Sequence, residues 1–358
     1  LSAQILLIVV LGASFFSIGG FLGKMLPMKT YTPSKLFNPS YSFLIFIVLV
    51  CFFALLAQIS IVFSQEGDSL ARKLIGLRVK ESIENIDVFG VWKYFSTLAM
   101  ATLLFICISR NSQVKASHNF TFFVLVVICL CMAFFSTGRT PIIITMMIII
   151  LPTIFKYGPV VSPTNVIKTF SLGVVIAVSV FWSIGLVFGK VGETINDVSL
   201  GFSTYLFSGL PALDAYINSQ SYLSSGASLG EHTFRIFQAI GSRFGLGEPP
   251  EPLVQEFVQV PHLTNLYTIF HNPIRDFGLA GVALVSLILG FFHSFLYELF
   301  KRNTSDDFIR YIFILSYIPL IQVIFQDTYF SLVSTWVQFY LIGFIFTSKI
   351  MSKKGTYS

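Results

Sequence analysis

An all-α, polytopic transmembrane helical bundle is the fold class this sequence predicts, and three observations carry the prediction. Only 11% of the 358 residues are charged, against about 25% in a soluble domain, while 54% are hydrophobic and 40 are Phe. The mean hydropathy is +0.79, which excludes a water-soluble globule. Nine mainly apolar stretches of roughly 17–23 residues each match a hydrocarbon core about 30 Å thick. They cover residues 4–22, 41–63, 89–109, 120–136, 140–157, 169–188, 277–296, 308–325 and 329–346.

Within these spans Pro141 falls in a first turn, where its missing N–H costs little. Pro152 and Pro319 lie deeper and are expected to bend their helices. Cys51, Cys107, Cys129 and Cys131 all sit in apolar stretches and read as small packing residues, with no disulfide framework or metal spacing. No cleavable signal peptide is visible. The chain starts at Leu1 with an apolar run almost at once, so further spans are expected upstream.

Charge sets the orientation. One set of alternate loops holds Lys24, Lys29, Lys35, Arg110, Lys115, Lys156, Lys168, Lys301, Arg302, Arg310, Lys349, Lys353 and Lys354, with only Glu298, Asp306 and Asp307 as acids. The other side carries the remaining 10 basic and 14 acidic residues. The positive-inside rule makes the first side, and the C-terminus, cytoplasmic. The net charge of +6 is thus a topological signal, and no nucleic-acid partner is expected.

Two segments on the outer side are long. In 64–88, Leu70, Leu74, Leu77 and Ile83 recur near helical spacing between Arg72, Lys73, Arg78 and Lys80, as in an amphipathic helix on the membrane surface. A solvated connector is the alternative. Residues 190–276 are too long for a structureless loop and should fold over the outer face. Helices are expected over 198–218 and 231–244, with a break at Glu248-Pro249-Pro250-Glu251-Pro252. The expected organisation is transmembrane helices over 1–188, a large outer loop over 189–276, transmembrane helices over 277–348, and a cytoplasmic tail over 349–358.

The chemistry-bearing residues lie on this outer side. Arg139, in the three-residue turn Thr137-Gly138-Arg139, is held near the bilayer surface, where it can meet an anionic headgroup or simply snorkel. Arg235, Arg243 and Arg275 add planar, permanently charged donors that suit phosphate. Eight acids share their loop, so salt bridges are the competing reading. Arg235 and Arg243 stand about two helical turns apart and could share a face. For acid–base work the outer residues are Asp214, Glu231, His232, His262, His271 and Asp276. Asp276 could equally cap a helix starting at Phe277. His118 falls on the cytoplasmic side, and His293, inside a span, reads as a hydrogen-bonded helix contact. No H-x-x-x-H pair, outer D-x-D pair or G-x-x-x-x-G-K-S/T loop occurs, and no metal or cofactor is expected.

Three short blocks resemble the Wzy-type polysaccharide repeat-unit polymerases. Phe135-Ser136-Thr137-Gly138-Arg139-Thr140-Pro141 is similar to that family's Ser/Gly-Arg-Thr hairpin. Tyr205-Leu206-Phe207-Ser208-Gly209-Leu210-Pro211-Ala212-Leu213-Asp214 resembles its Tyr…Gly-x-Pro-Ala segment. Asn265-Leu266-Tyr267-Thr268 with Asp276-Phe277-Gly278 and Gly281 resembles its Asn-x-Tyr-Thr…Asp-Phe-Gly-x-x-Gly block. The resemblance implies a GT-C-like glycosyltransferase of the bacterial inner membrane. Such enzymes polymerise undecaprenyl-pyrophosphate-linked units of O-antigen or a related surface polysaccharide at the periplasmic face.

On that reading Arg139, Arg235, Arg243 and Arg275 hold the donor pyrophosphate. Asn265 and Tyr267 bind glycan or order the return into the membrane, and His271, Asp276 or His232 takes the acceptor proton. Membrane lipids and a chain-length regulator are the implied partners. An O-antigen ligase, using lipid A-core as acceptor, is the nearest rival; its His-Asn block has a displaced counterpart in His271-Asn272. A lipid-linked oligosaccharide flippase is more remote, because the span interiors are nearly free of charge. A receptor or assembly scaffold is a third class.

Overall fold

The structure is a computed structural model. It describes residues 1–27, 41–82, 86–110, 116–136, 140–156, 158–164, 166–169, 203–204, 207–219, 230–251, 255–260, 262–324 and 326–347, with isolated positions 171, 175 and 179. Arg139 and its turn, most of the expected span 169–188, the start of the expected helix 198–218 including Tyr205, and the tail 349–358 lie outside the described residues. So do the side chains of His118 and His262.

The described chain is helical almost throughout. Its helices are α1 (Ala3–Lys24), α2 (Tyr41–Phe63), α3 (Leu70–Ser82), α4 (Lys93–Arg110), α5 (Ala116–Phe135), α6 (Thr140–Ile154), α7 (Gly209–Asn218), α8 (Arg235–Arg243), α9 (His271–Phe277), α10 (Leu279–Arg302), α11 (Asp307–Gln322) and α12 (Val333–Thr347). A 3-10 turn at Gly90–Trp92 leads into α4. Among the described residues, four helical stretches, Ala3–Lys24, Ser42–Phe63, Gly90–Ser109 and Leu279–Arg302, are long and apolar enough to cross a membrane. Shorter apolar helices occupy Asn119–Phe135, Thr140–Ile154 and Val333–Thr347. This is an all-helical membrane protein.

One element was not expected: Val258–Val260 and His262–Thr264 pair as a short antiparallel hairpin, β1 and β2. The expected helix 231–244 is also shorter than its apolar pattern. Glu231–Phe234 form a turn, and the helix begins at Arg235.

The chain divides into two compact units. One comprises Thr30–Glu193, Phe300–Leu315 and Thr335–Ser358. Its interior is aromatic: Phe105 meets Phe346, and Phe313 lies between Phe300 and Phe155. Tyr311 donates to the Phe339 carbonyl, and its ring fills the space that a side chain on Gly343 would need. Here α3 departs from its surface reading. Leu74 and Leu77 are fully buried against Val62, Phe89, Ala133 and Ile142, so this part of the apolar stripe meets protein. Ile75 and Val79 remain exposed.

The other unit comprises Leu1–Lys29, Thr194–Leu299 and Ser316–Ser334. Its frame is a close crossing of α1 and α10. A Cβ on Gly19 would strike the Leu287 carbonyl, one on Gly23 the Phe291 carbonyl, and one on Gly290 the Phe16 carbonyl. Glycine lets the two backbones touch, which is how apolar helices associate where lipid supplies no hydrophobic drive. At the start of α1, Ser2 donates to Asp214 of α7 through its N–H (2.8 Å) and its hydroxyl (2.5 Å). Ile5 and Ile8 then pack with Leu213, Tyr216, Tyr267, Ile274 and Val282.

The crossing predicts opposite outcomes for two glycine-to-alanine changes. Gly290→Ala should destabilise by about 1–3 kcal/mol through overpacking. Gly76→Ala, in α3 with nothing within 4 Å of the new methyl, should stabilise by about 0.5–1 kcal/mol. Thermal melts in detergent would show one midpoint falling and the other rising.

Candidate functional site

The polar residues of the second unit gather around α9. This short helix ends at Gly278, whose φ of +62° a side chain would disfavour, and α10 starts at once. Three residues on, a Cβ at Gly281 would strike the Pro273 carbonyl. The Asp-Phe-Gly-x-x-Gly block is thus a helix–kink–helix joint, and each glycine in it has a steric reason.

Asp276, one residue before the end of α9, does not cap the following helix. Its carboxylate accepts the backbone N–H of His232 (3.2 Å) and of Thr233 (2.6 Å). That pair of bonds pins the turn that begins at Gly230, itself at φ +88°. Asp276 is therefore an anchor, with its oxygens engaged by backbone. Asp214 is engaged likewise by Ser2, and Glu231 accepts from Gln238.

The pinned turn places His232 beside Glu251, which comes from the proline-rich break. Glu251 receives a bidentate pair from Arg275, with Nη1 at 3.0 Å and Nη2 at 3.2 Å. His232 Nδ1 lies 3.5 Å from the same carboxylate. The His232 Nε2 atom is buried without a hydrogen-bond partner, and so is the Thr233 hydroxyl. Burial, and then the Arg275 charge, hold His232 below its ordinary value and favour the neutral ring. Arg235, at the start of α8, is half-buried, and burial lowers it while Glu251 and Asp327 oppose the shift. Its guanidinium therefore feels two carboxylates from different parts of the chain.

The second chain of contacts runs from His271 to Asp327. Asp327, in the loop after α11, accepts the Phe330 N–H (3.1 Å) and the Asn272 side-chain N–H (3.2 Å). An ionised carboxylate can only accept, so this bond orients the Asn272 amide. Its Oδ1 then faces His271 Nδ1 (3.3 Å) and Gln255 Nε2 (3.1 Å). Because Oδ1 is an acceptor, the His271 proton must sit on Nδ1, which leaves a lone pair on Nε2. Two tyrosines fix the ring: Tyr267 stacks on it at 4.1 Å, and Tyr216 meets it edge-on at 4.5 Å. The Tyr267 hydroxyl donates to the Glu256 carbonyl, which braces the stack. Burial pushes His271 down to about 3 and lifts Asp327 to about 6.

His232, His271, Asp276, Arg235, Arg275 and Tyr267 thus come together in one unit. Arg243 does not join them: it is exposed at the far end of α8, about 12 Å along the helix from Arg235. Asn265 is half-buried in the extended stretch after the hairpin. Glu251, Gln255 and Asp327 belong to the cluster although no motif marked them. The one available sign was an acid, Asp327, in the short break between two apolar runs. Among the described residues no group of three or more His, Cys, Asp or Glu side chains converges on a metal position. Comparison with protein-family models, curated proteins and solved structures finds no match.

The two buried groups predict opposing pH dependences. His271 has an ordinary value of 6.5 and a folded value near 3. The unfolded chain therefore binds more protons between these limits, and stability rises with pH, by at most about 1.4 kcal/mol per unit. Asp327 moves from 3.8 to about 6, so its contribution is present below about 4 and lost as pH rises through 6. In melts from pH 4 to 7, His271→Gln should weaken acid destabilisation and Asp327→Asn should sharpen it. Parallel pH curves for both variants and the parent would contradict these assignments.

Proposed function

We propose that this chain is a Wzy-type polymerase of the bacterial inner membrane. It would transfer a growing glycan from undecaprenyl pyrophosphate onto a new lipid-linked repeat unit of O-antigen or a related surface polysaccharide. In this reading nine spans and a GT-C-like arrangement hold the cluster at the periplasmic face, with the C-terminus in the cytoplasm. The carrying observation is that two arginines and two neutral histidines share one polar cluster beside the first turn of an apolar helix. The resemblance of the Asn265–Thr268 and Asp276–Gly281 blocks supports the same reading.

The proposed chemistry uses the cluster as it stands. Glu251 fills the fork of Arg275 with two oxygens, the geometry that a phosphate group also presents. Donor pyrophosphate displaces Glu251 from Arg275, with Arg235 as the second cation; the family resemblance gives Arg139 a pyrophosphate-binding role as well. The acceptor hydroxyl oxygen forms a bond to the anomeric carbon, and the bond from that carbon to pyrophosphate oxygen breaks. Undecaprenyl pyrophosphate leaves with the electron pair, stabilised by the arginines. The hydroxyl proton passes to a neutral histidine of the cluster, His232 or His271. Asp276 takes no part beyond anchoring His232.

One observation favours a second reading, the O-antigen ligase. His271-Asn272 lies at the centre of the cluster, and a His-Asn pair is the mark of that rival.

The test is incubation of the purified protein with undecaprenyl-pyrophosphate-linked repeat units, read as a ladder on a gel. A ladder formed without lipid A-core is expected; transfer only when lipid A-core is supplied would establish the ligase instead. Arg275→Gln should slow extension about 10²-fold, the usual cost of losing one donor to developing negative charge. In cells, Arg139→Ala should abolish long-chain product at normal protein levels, and an unchanged chain-length distribution would end the pyrophosphate-binding assignment of Arg139.

A further inference from the structure

The helix that delivers Arg235 to the cluster has a largely exposed apolar face, touched among the described residues by the Phe234 ring at its Phe237 end. Phe237, Ile240 and Phe244 recur at three- and four-residue spacing and are 71%, 48% and 77% exposed. The opposite side is polar, with Gln238 bonded to Glu231.

The C-terminus of the helix extends this face. Leu246 N–H bonds the Gly241 carbonyl (2.9 Å), Gly245 N–H bonds the Ser242 carbonyl (3.1 Å), and Gly245 takes a φ of +74°. These are the bonds of a Schellman cap, in which the residue after the left-handed glycine usually packs on an apolar side chain one turn back. Here the residue one turn back is Gly241, which offers no side chain, and Leu246 projects at 80% exposure. Four large apolar side chains therefore face outward within twelve residues of a loop that also has to carry charge.

The depth of this face is fixed by the residue before the helix. The Phe234 ring lies 6.2 Å from Phe277 and 6.0 Å from Phe330, centre to centre. Phe277 stands two residues before the apolar helix Leu279–Arg302, and Phe330 three residues before the apolar helix Val333–Thr347. The helix α8 thus starts level with the points where two apolar helices begin. A face of Phe, Ile, Phe and Leu at that depth matches acyl chains. Arg243, exposed in the last turn beside Phe244, matches the phosphate layer above them.

We propose that α8 is an interfacial anchor: Phe237, Ile240, Phe244 and Leu246 insert into the acyl region of the adjacent leaflet, and Arg243 binds phospholipid phosphate. The partner is the bilayer itself. The anchor holds whichever transfer reaction the cluster performs, because it depends only on the apolar helices and on α8.

Tryptophan placed at the tip tests it. The full chain carrying Phe244→Trp is reconstituted in nanodiscs of phosphatidylcholine and phosphatidylglycerol, with or without bromine on the acyl chains. Emission is read as the difference from the parent, which has Trp92, Trp182 and Trp336. The added emission should be blue-shifted, fall by about half or more with brominated lipid, and resist aqueous iodide, as expected of an aromatic at acyl depth. Glu248→Trp, in the exposed loop beyond, should show the reverse pattern and checks that the nanodiscs report depth. Quenching of Phe244→Trp by iodide alone would place the face in water. Protection from both quenchers would place it against protein, including a second copy of the chain. Either result overturns the anchor.

Discussion

A carboxylate that accepts two consecutive backbone N–H groups fixes the position and the direction of the strand of chain that offers them. Asp276 does this to His232 and Thr233. The constraint matters because the two partners are 44 residues apart and the chain between them contains the proline-rich break. Once the turn is pinned, His232 must face Glu251, α8 must start beside Phe277, and Arg235 must point where two carboxylates can feel it. Without the anchor, two buried N–H groups would need other acceptors at a cost of about 1–3 kcal/mol each.

The ion pair of Arg275 with Glu251 plays a different part. The Glu251 side chain is half-exposed, and pairs of that kind contribute little to stability, typically about 0–1 kcal/mol. The bidentate geometry is thus better understood as keeping a guanidinium fork oriented and occupied than as holding the fold. The Asp327–Asn272–His271 chain is buried, and in it every orientation follows from the one before: an acceptor-only carboxylate sets an amide, and the amide sets a ring tautomer. Buried networks of this sort specify a single arrangement because the alternatives leave polar atoms unpaired.

Much of the fold was legible because apolar stretches in this chain are long and unambiguous. The expected span 41–63 coincides with α2, and 140–157 and 308–325 lie within three residues of α6 and α11 at both ends. Where periodicity met tertiary packing it said less: Leu74 and Leu77 form a stripe whether lipid or protein covers them, and only the neighbours Val62 and Phe89 decide. The turn at Glu231–Phe234 was read as helix because its apolar pattern continues into Arg235–Arg243, while the Asp276 bonds that hold it open come from far along the chain. The candidate arginines and histidines could be named from residue type and side of the membrane. Glu251 and Asp327 could not, since an acid in a proline-rich break and an acid between two spans look like ordinary solvated residues until Arg275 and Asn272 are beside them. The partners of Asp276 are backbone N–H groups, which carry no sequence signature, so in the sequence this acid before an apolar run reads as a base or a cap as readily as an anchor.

The glycine contacts of α1 also bear on how the protein is made. Gly19 and Gly23 meet Leu287 and Phe291, so some 270 residues must follow α1 out of the ribosome before its partner exists. At roughly 5–20 residues per second that is a wait of about 15–60 s. Throughout it α1 sits in the bilayer with a bare glycine face, free to pair with whatever other helix presents small residues. An insertase or a lipid that shields this face during synthesis would raise the yield of native protein, and the unit that holds the cluster cannot close before α10 has been made.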